Sequence, residues 1–189
     1  MRLEPIEKPR GLFLRVMYRV LRAQFGRVIM PWKVAFARAP RLAPSMLGIY
    51  WCLGRSFKID AETRLLVQHR VAEINGCAFC IDIGRAVAVK ENLSLAKADA
   101  VANYATDPRF NAAERAALAY VDETTRNKSV SDQTFETLRA QFGEREIVEI
   151  TWLVAIENFF NLINMPLGIE SDVLCALPVR SGARTVPSR

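Results

Sequence analysis

Histidine occurs once in this 189-residue chain, cysteine four times, and glycine and proline nine times each. So little glycine and proline excludes a collagenous or low-complexity chain. Four cysteines in this length exclude a disulfide-dense secreted scaffold. No apolar run reaches the ~18 uninterrupted residues of a membrane-spanning helix. The apolar stretch from Gly11 is broken by Arg15, Arg19 and Arg22, so it forms no signal-peptide core. There is no glycine-rich phosphate loop and no G-x-G-x-x-G, and no segment carries the two-residue alternation of a strand. What is present is an ordinary globular composition, 51% hydrophobic and 24% charged, in a length that supports one apolar core. The expected compartment is the cytoplasm, where thiols stay reduced.

The net charge of +6 is unevenly spread. Residues 1–58 hold 12 Lys/Arg against 2 Asp/Glu, whereas residues 59–189 hold 14 against 18. The basic third suits an anionic partner such as a membrane surface, and equally a solvated helix face or a subunit contact. No nucleic-acid partner is expected.

Helical periodicity, caps and breakers account for most of the chain, so the expected fold is all-α with about seven to nine helices. Helices are expected over residues 11–25, from Pro31 to Arg38, around Ser45–Leu53, over 61–74, and from Cys77 to Lys90. Others are expected over 95–105, from Asn111 to Thr125, from Ser131 to Gly143, and over 144–163. Arg15, Arg19 and Arg22 form a cationic stripe on the first, with Leu12, Val16, Val20 and Leu21 elsewhere on the cylinder. Asn111 and Glu114 have capping-box spacing. The segment 144–163 is apolar all round, which places it centrally or between subunits. Glu149, Glu157, Asn158 and Asn161 argue against its lying in a membrane. Asn158 and Asn161 read as a polar cluster satisfied by hydrogen bonds. The string Leu-Arg-Ala-Gln-Phe-Gly occurs at 21–26 and again at 138–143, which reads as two similar helix endings. The expected organisation is a basic helical extension over 1–58, a core over 59–175 and a mobile tail over 176–189. Trp32, Trp51 and Trp152 are expected as core or interface anchors, and Cys52 and Cys175 as small hydrophobes.

The chemistry concentrates in Asn75-Gly76-Cys77-Ala78-Phe79-Cys80-Ile81-Asp82-Ile83-Gly84-Arg85. Cysteines three apart on a helix share a face, close enough for a disulfide. At a helix N-terminus, free N–H groups and the helix dipole favour thiolate. One thiolate can then attack a peroxide or disulfide and the other can resolve the product. Two other readings of the pair stand beside this one. It could be half of a zinc site completed by Cys52, Cys175 or His69, or it could be two inert core cysteines.

The stretch from Leu65 to Asp82, with Asn111–Ala119 and Glu144–Glu149, resembles the alkylhydroperoxidase D (AhpD) / carboxymuconolactone decarboxylase superfamily. The resemblance covers roughly residues 60–170. It implies an AhpD-like helical fold that is an obligate homo-oligomer (dimer, trimer or hexamer) with a helix-rich interface. It also implies peroxidase or disulfide-reductase activity at the C-x-x-C, with Cys80 peroxidatic, Cys77 resolving, and a cellular dithiol as reductant. Redox-active members carry a histidine four residues after the second cysteine and a glutamate twelve before the first. Here those positions are Gly84 and Leu65. His69, one turn beyond Leu65, is the candidate substitute, with a pKa suited to acid–base work. Arg85, Asp82 and Glu73 are read chiefly as surface charges. No metal, flavin or nicotinamide cofactor is expected. The alternatives are a non-catalytic binding or scaffold protein working through the basic helix of residues 11–25 on an anionic membrane surface, and a lactone decarboxylase.

Overall fold

A computed structural model describes residues 1–53 and 57–174 of the chain. All regular elements among them are helical. The α-helices are α1 (Leu12–Phe25), α2 (Ala43–Leu53), α3 (Ala61–Asn75), α4 (Ala78–Lys90), α5 (Leu95–Asp99), α6 (Ala112–Asn127), α7 (Asp132–Arg139) and α8 (Glu144–Asn164). A π-helical turn, Trp32–Phe36, stands where a longer helix to Arg38 was expected. No helix among the described residues is long and apolar enough to cross a membrane. Cys175 and the expected tail lie outside the described residues.

The helix boundaries follow local chemistry. Asp60 caps α3, accepting from Thr63 N at 2.9 Å and Thr63 Oγ1 at 2.6 Å. Gly76, in the left-handed region at φ 72°, ends α3 and turns the chain straight into α4. Asn111 and Glu114 form the expected capping box at α6. The segment 95–105 is not one helix: α5 stops at Asp99, and a 3-10 turn, Val101–Asn103, follows. The repeated hexapeptide has two fates. Gly26 is a left-handed C-cap, whereas α7 stops at Arg139 and Gly143 becomes the N-cap of α8, its N–H donating to Glu146 Oε2 at 2.8 Å. A glutamate three residues beyond the glycine supplies that second outcome.

The central element is α3, which packs against α4, α6 and α8. Its Leu66, Val67, His69, Val71 and Ala72 are almost wholly buried, and Arg70 is largely so. Arg70 is neutralised by a bidentate pair with Asp122 on α6, at 2.6 and 2.9 Å. One apolar cluster joins α3 to α6 and α8 through Val67, Val71, Tyr120, Val121, Ile150 and Leu153. A second joins the N-terminal segment to the cysteine helix, packing Tyr18, Leu21, Ile29, Trp32, Phe36 and Met46 with Cys77, Phe79 and Cys80. Burying each such side chain is worth about 1.5–3 kcal/mol. The basic N-terminal third is therefore one wall of the cysteine site. The C-terminal segment fastens this wall: Asp172 Oδ2 accepts from Met30 N at 2.7 Å, and Arg27 donates to Asp172 O at 2.8 Å.

Expectations are corrected at α1 and at Cys52. The exposed face of α1 holds Leu12, Phe13, Val16 and Val20 beside the arginines, while Leu14, Tyr18 and Leu21 face inward. Within one chain, α8 of segment 144–163 exposes Val148, Phe159 and Leu162. Of the tryptophans, Trp32 is buried and Trp51 is exposed. Cys52 is a free, exposed thiol rather than a core residue, because α2 turns that face outward.

Candidate active site

Cys77 is the N-cap of α4, and its Sγ accepts the N–H of Cys80 at 3.3 Å. The two sulfurs are joined in a disulfide with Cα atoms 5.3 Å apart. Both residues are buried, and Cys80 reaches a cavity of about 320 Å³. Its walls come from the N-terminal segment (Phe25, Pro31, Phe36), α2 (Met46, Tyr50), α3, α4 and α8.

The polar groups at this cavity come mainly from α8 and α3. Asn161 Nδ2 donates to Cys80 Sγ at 3.1 Å and to Glu157 Oε1 at 2.8 Å. Asn164 Nδ2 lies 3.4 Å from the same sulfur. Gln68 Nε2 donates to Glu157 Oε2 at 3.4 Å. Asn75 Nδ2 fixes Asn161 by donating to its Oδ1 at 2.7 Å, and to Asn158 Oδ1 at 3.0 Å. Burial pushes the Glu157 carboxyl up to about 7, against the pull of the Asn161 and Gln68 donors. A carboxyl that titrates near neutrality can both give and take a proton.

His69 also lines the cavity, next to Gly84. Burial holds its imidazole below the ordinary histidine value, so the ring is neutral at pH 7. Its Nε2 lies 4.0 Å from Glu73 Oε1, and its Nδ1 is buried without a hydrogen-bond partner in the protein.

The structure therefore brings Cys77, Cys80 and His69 together, with Leu65 and Gly84 on the same cavity wall. It sets the other candidates apart. Arg85 pairs with Asp99. Asp82 is buried rather than on the surface, because its Oδ2 accepts the N–H of Leu174 at 3.0 Å. Glu73 is half-buried beside Arg70, and burial raises its carboxyl. Glu157, Gln68 and Asn164 escaped the sequence reading as site residues. The spacing of Glu157, Asn161 and Asn164 puts three polar groups on one face of an apolar helix, and that was the available signal. Among the described residues, no group of three or more His, Cys, Asp or Glu is placed to hold a metal ion.

Comparison with known proteins agrees with this geometry. Residues 44–123 match the carboxymuconolactone decarboxylase family. The Escherichia coli protein YnjA, itself uncharacterized, is 29% identical over 182 residues, covering 94% of this chain and 98% of YnjA. An Agrobacterium tumefaciens protein of unknown function, given the AhpD antioxidant-defence name, superposes with a TM-score of 0.67 at 29% identity, covering 74% of this chain and 97% of that one. The debrominase Bmp8, solved as a cysteine-to-alanine variant with 2,3,4-tribromopyrrole, shares the fold with a TM-score of 0.80 at 20% identity, covering 93% of this chain and 94% of that one. With its all-helical architecture and its Cys77–Cys80 pair at the head of α4, the chain carries the carboxymuconolactone decarboxylase family signature over residues 44–123 and is similar to AhpD-like proteins along most of its length.

Proposed function

We propose that the protein is a peroxidase-type thiol–disulfide oxidoreductase. One observation carries this reading: the Cys77–Cys80 disulfide sits at the wall of a mostly apolar pocket, with Cys80 reaching the pocket and Cys77 behind it. In the reduced enzyme, the Cys80 thiolate attacks the terminal oxygen of a hydroperoxide. An S–O bond forms, the O–O bond breaks, an alcohol or water leaves, and Cys80 becomes a sulfenic acid. The Cys77 thiol displaces the hydroxyl as water and closes the disulfide. A cellular dithiol then restores both thiols by exchange and is itself oxidised.

The test is alkylation with mass spectrometry on reduced protein, before and after a stoichiometric pulse of tert-butyl hydroperoxide. A fast Cys77–Cys80 disulfide that dithiothreitol reverses is the expected result. Thiols that stay alkylatable overturn the reading. The reading includes assembly of copies into a dimer, trimer or hexamer, which the exposed Val148, Phe159 and Leu162 of α8 favour. Light scattering should then give a mass above that of one chain.

The outer face of α1 supports a second, compatible reading. Leu12, Phe13, Val16 and Val20 are exposed beside the exposed Arg15, Arg19 and Arg22, the pattern of a helix that lies on an anionic lipid surface. Co-flotation with phosphatidylserine vesicles that falls with salt is expected. No association at low salt refutes it.

A further inference from the structure

The superfamily's relay positions, Leu65 and Gly84 here, carry no titratable group, yet cleavage of a peroxide leaves an alkoxide that needs a proton. We infer that Glu157 of α8 is the acid–base residue of this site, taking the Cys80 proton to form the thiolate and returning it to the departing oxygen. The inference rests on the peroxidase reading above.

The geometry selects Glu157. Its carboxyl lines the cavity that Cys80 reaches, so a peroxide seated there touches both groups. One of its oxygens accepts from Asn161 at 2.8 Å and the other from Gln68 at 3.4 Å. Asn161 spends its two amide hydrogens on Glu157 and on Cys80 Sγ, which fixes carboxyl and sulfur relative to one another. Asn161 is thus a positioning residue. An amide between the two groups does not relay a proton, so transfer runs through the cavity, by way of the peroxide or a water there. Among the described residues, the other titratable or charged groups at the cavity are His69 and Arg64 of α3, Tyr50 of α2, and Glu91 just past α4. His69 is neutral near pH 7 and lies against Gly84, and Tyr50 is a weaker acid than Glu157. Arg64 has no proton to give at neutral pH, and Glu91 is exposed.

Protons and electrons balance over the cycle. The Glu157 carboxylate accepts the thiol proton, giving thiolate and carboxylic acid. Attack forms S–O and breaks O–O, and the acid protonates the leaving alkoxide. The peroxide is reduced to alcohol, the sulfur is oxidised to sulfenic acid, and Glu157 is a carboxylate again.

The experiment uses full-length protein carrying Cys77→Ser, to isolate the first step. Two Cys80 reactions are compared across pH 5 to 9: oxidation by tert-butyl hydroperoxide, and alkylation by iodoacetamide. Iodide leaves without a proton, so alkylation needs only the thiolate. Oxidation should follow a bell-shaped pH profile and alkylation a rising one. Glu157→Gln keeps the size and the hydrogen-bonding oxygen. It should slow oxidation about 100-fold or more while changing alkylation above pH 8 less than threefold, and it should abolish the bell. Equal losses in both reactions would reduce Glu157 to a structural role and overturn the inference. Oxidation within threefold of the parent overturns it alone. A parent protein inert to the peroxide overturns the peroxidase reading and this assignment with it. The parent's own profile requires no Glu157 variant: a monotonic rise in oxidation also overturns the assignment.

Discussion

The imidazole of His69 occupies the space that a side chain at Gly84 would need: a Cβ on Gly84 would lie 3.0 Å from His69 Nδ1. The ring of His69, carried by α3, thus packs into the space beside α4 that the missing side chain at Gly84 leaves. Gly84→Ala should gain about 1 kcal/mol of helix propensity but lose as much or more to overpacking against the ring. In a His69→Ala background the same change should stabilise by about 1 kcal/mol. Thermal melts of the four proteins of this cycle measure the coupling. Additive effects would mean the ring moves aside freely.

Glu157 gives the stability a definite pH dependence. Its folded carboxyl titrates near 7, above the ordinary value of 4.5, so the folded state binds more protons than the unfolded state between those limits. Stability from this group is full below about 4.5 and is lost as pH rises towards 7, by roughly 3 kcal/mol in all. His69 acts in the opposite sense, because its folded value is lowered: that contribution is present above pH 6.5 and is lost on acidification. Glu157→Gln should flatten the loss of melting temperature between pH 5 and 8, while His69→Asn should steepen it.

The Arg70–Asp122 pair locks α3 to α6. Asp122→Ala leaves a buried guanidinium with Glu73 as its remaining acidic partner, at 3.6 Å. The expected cost is about 2 kcal/mol by urea unfolding. An effect below a few tenths would mean that solvent reaches Arg70.

Asn111→Ala removes both the side-chain acceptor for Glu114 N and the partner of the capping box at α6. The expected loss is about 1 kcal/mol, without effect on the rate of Cys80 alkylation. An altered alkylation rate would show that the start of α6 communicates with the cavity.

The sequence made some of this legible and not the rest, for reasons visible in particular residues. Capping residues act within a few positions, so Gly76, Cys77 and Asn111 mark their helices directly. The Cys77–Cys80 spacing is likewise local. Contacts between distant segments left no such signature. Nothing near Met30 announces that it donates to Asp172, so residues 1–58 read as an extension, although Phe25, Pro31 and Phe36 of that segment wall the cavity. Asp82 read as a surface charge because its partner, the Leu174 amide, is remote in sequence. Glu157 stood out only as a polar residue in an apolar helix. Its meaning came from α4 and α3, which bring Cys80 and Gln68 to it.

The fastening of the N-terminal wall by Asp172, and of α4 by the contact between Leu174 and Asp82, has a consequence during synthesis. A ribosome releases residues 172–174 after every other wall of the cavity has emerged. Until then the Cys77–Cys80 pair stands in a nascent chain whose enclosing contacts are incomplete. The thiols are most open to indiscriminate oxidants during that interval, which closes when residues 172–174 dock.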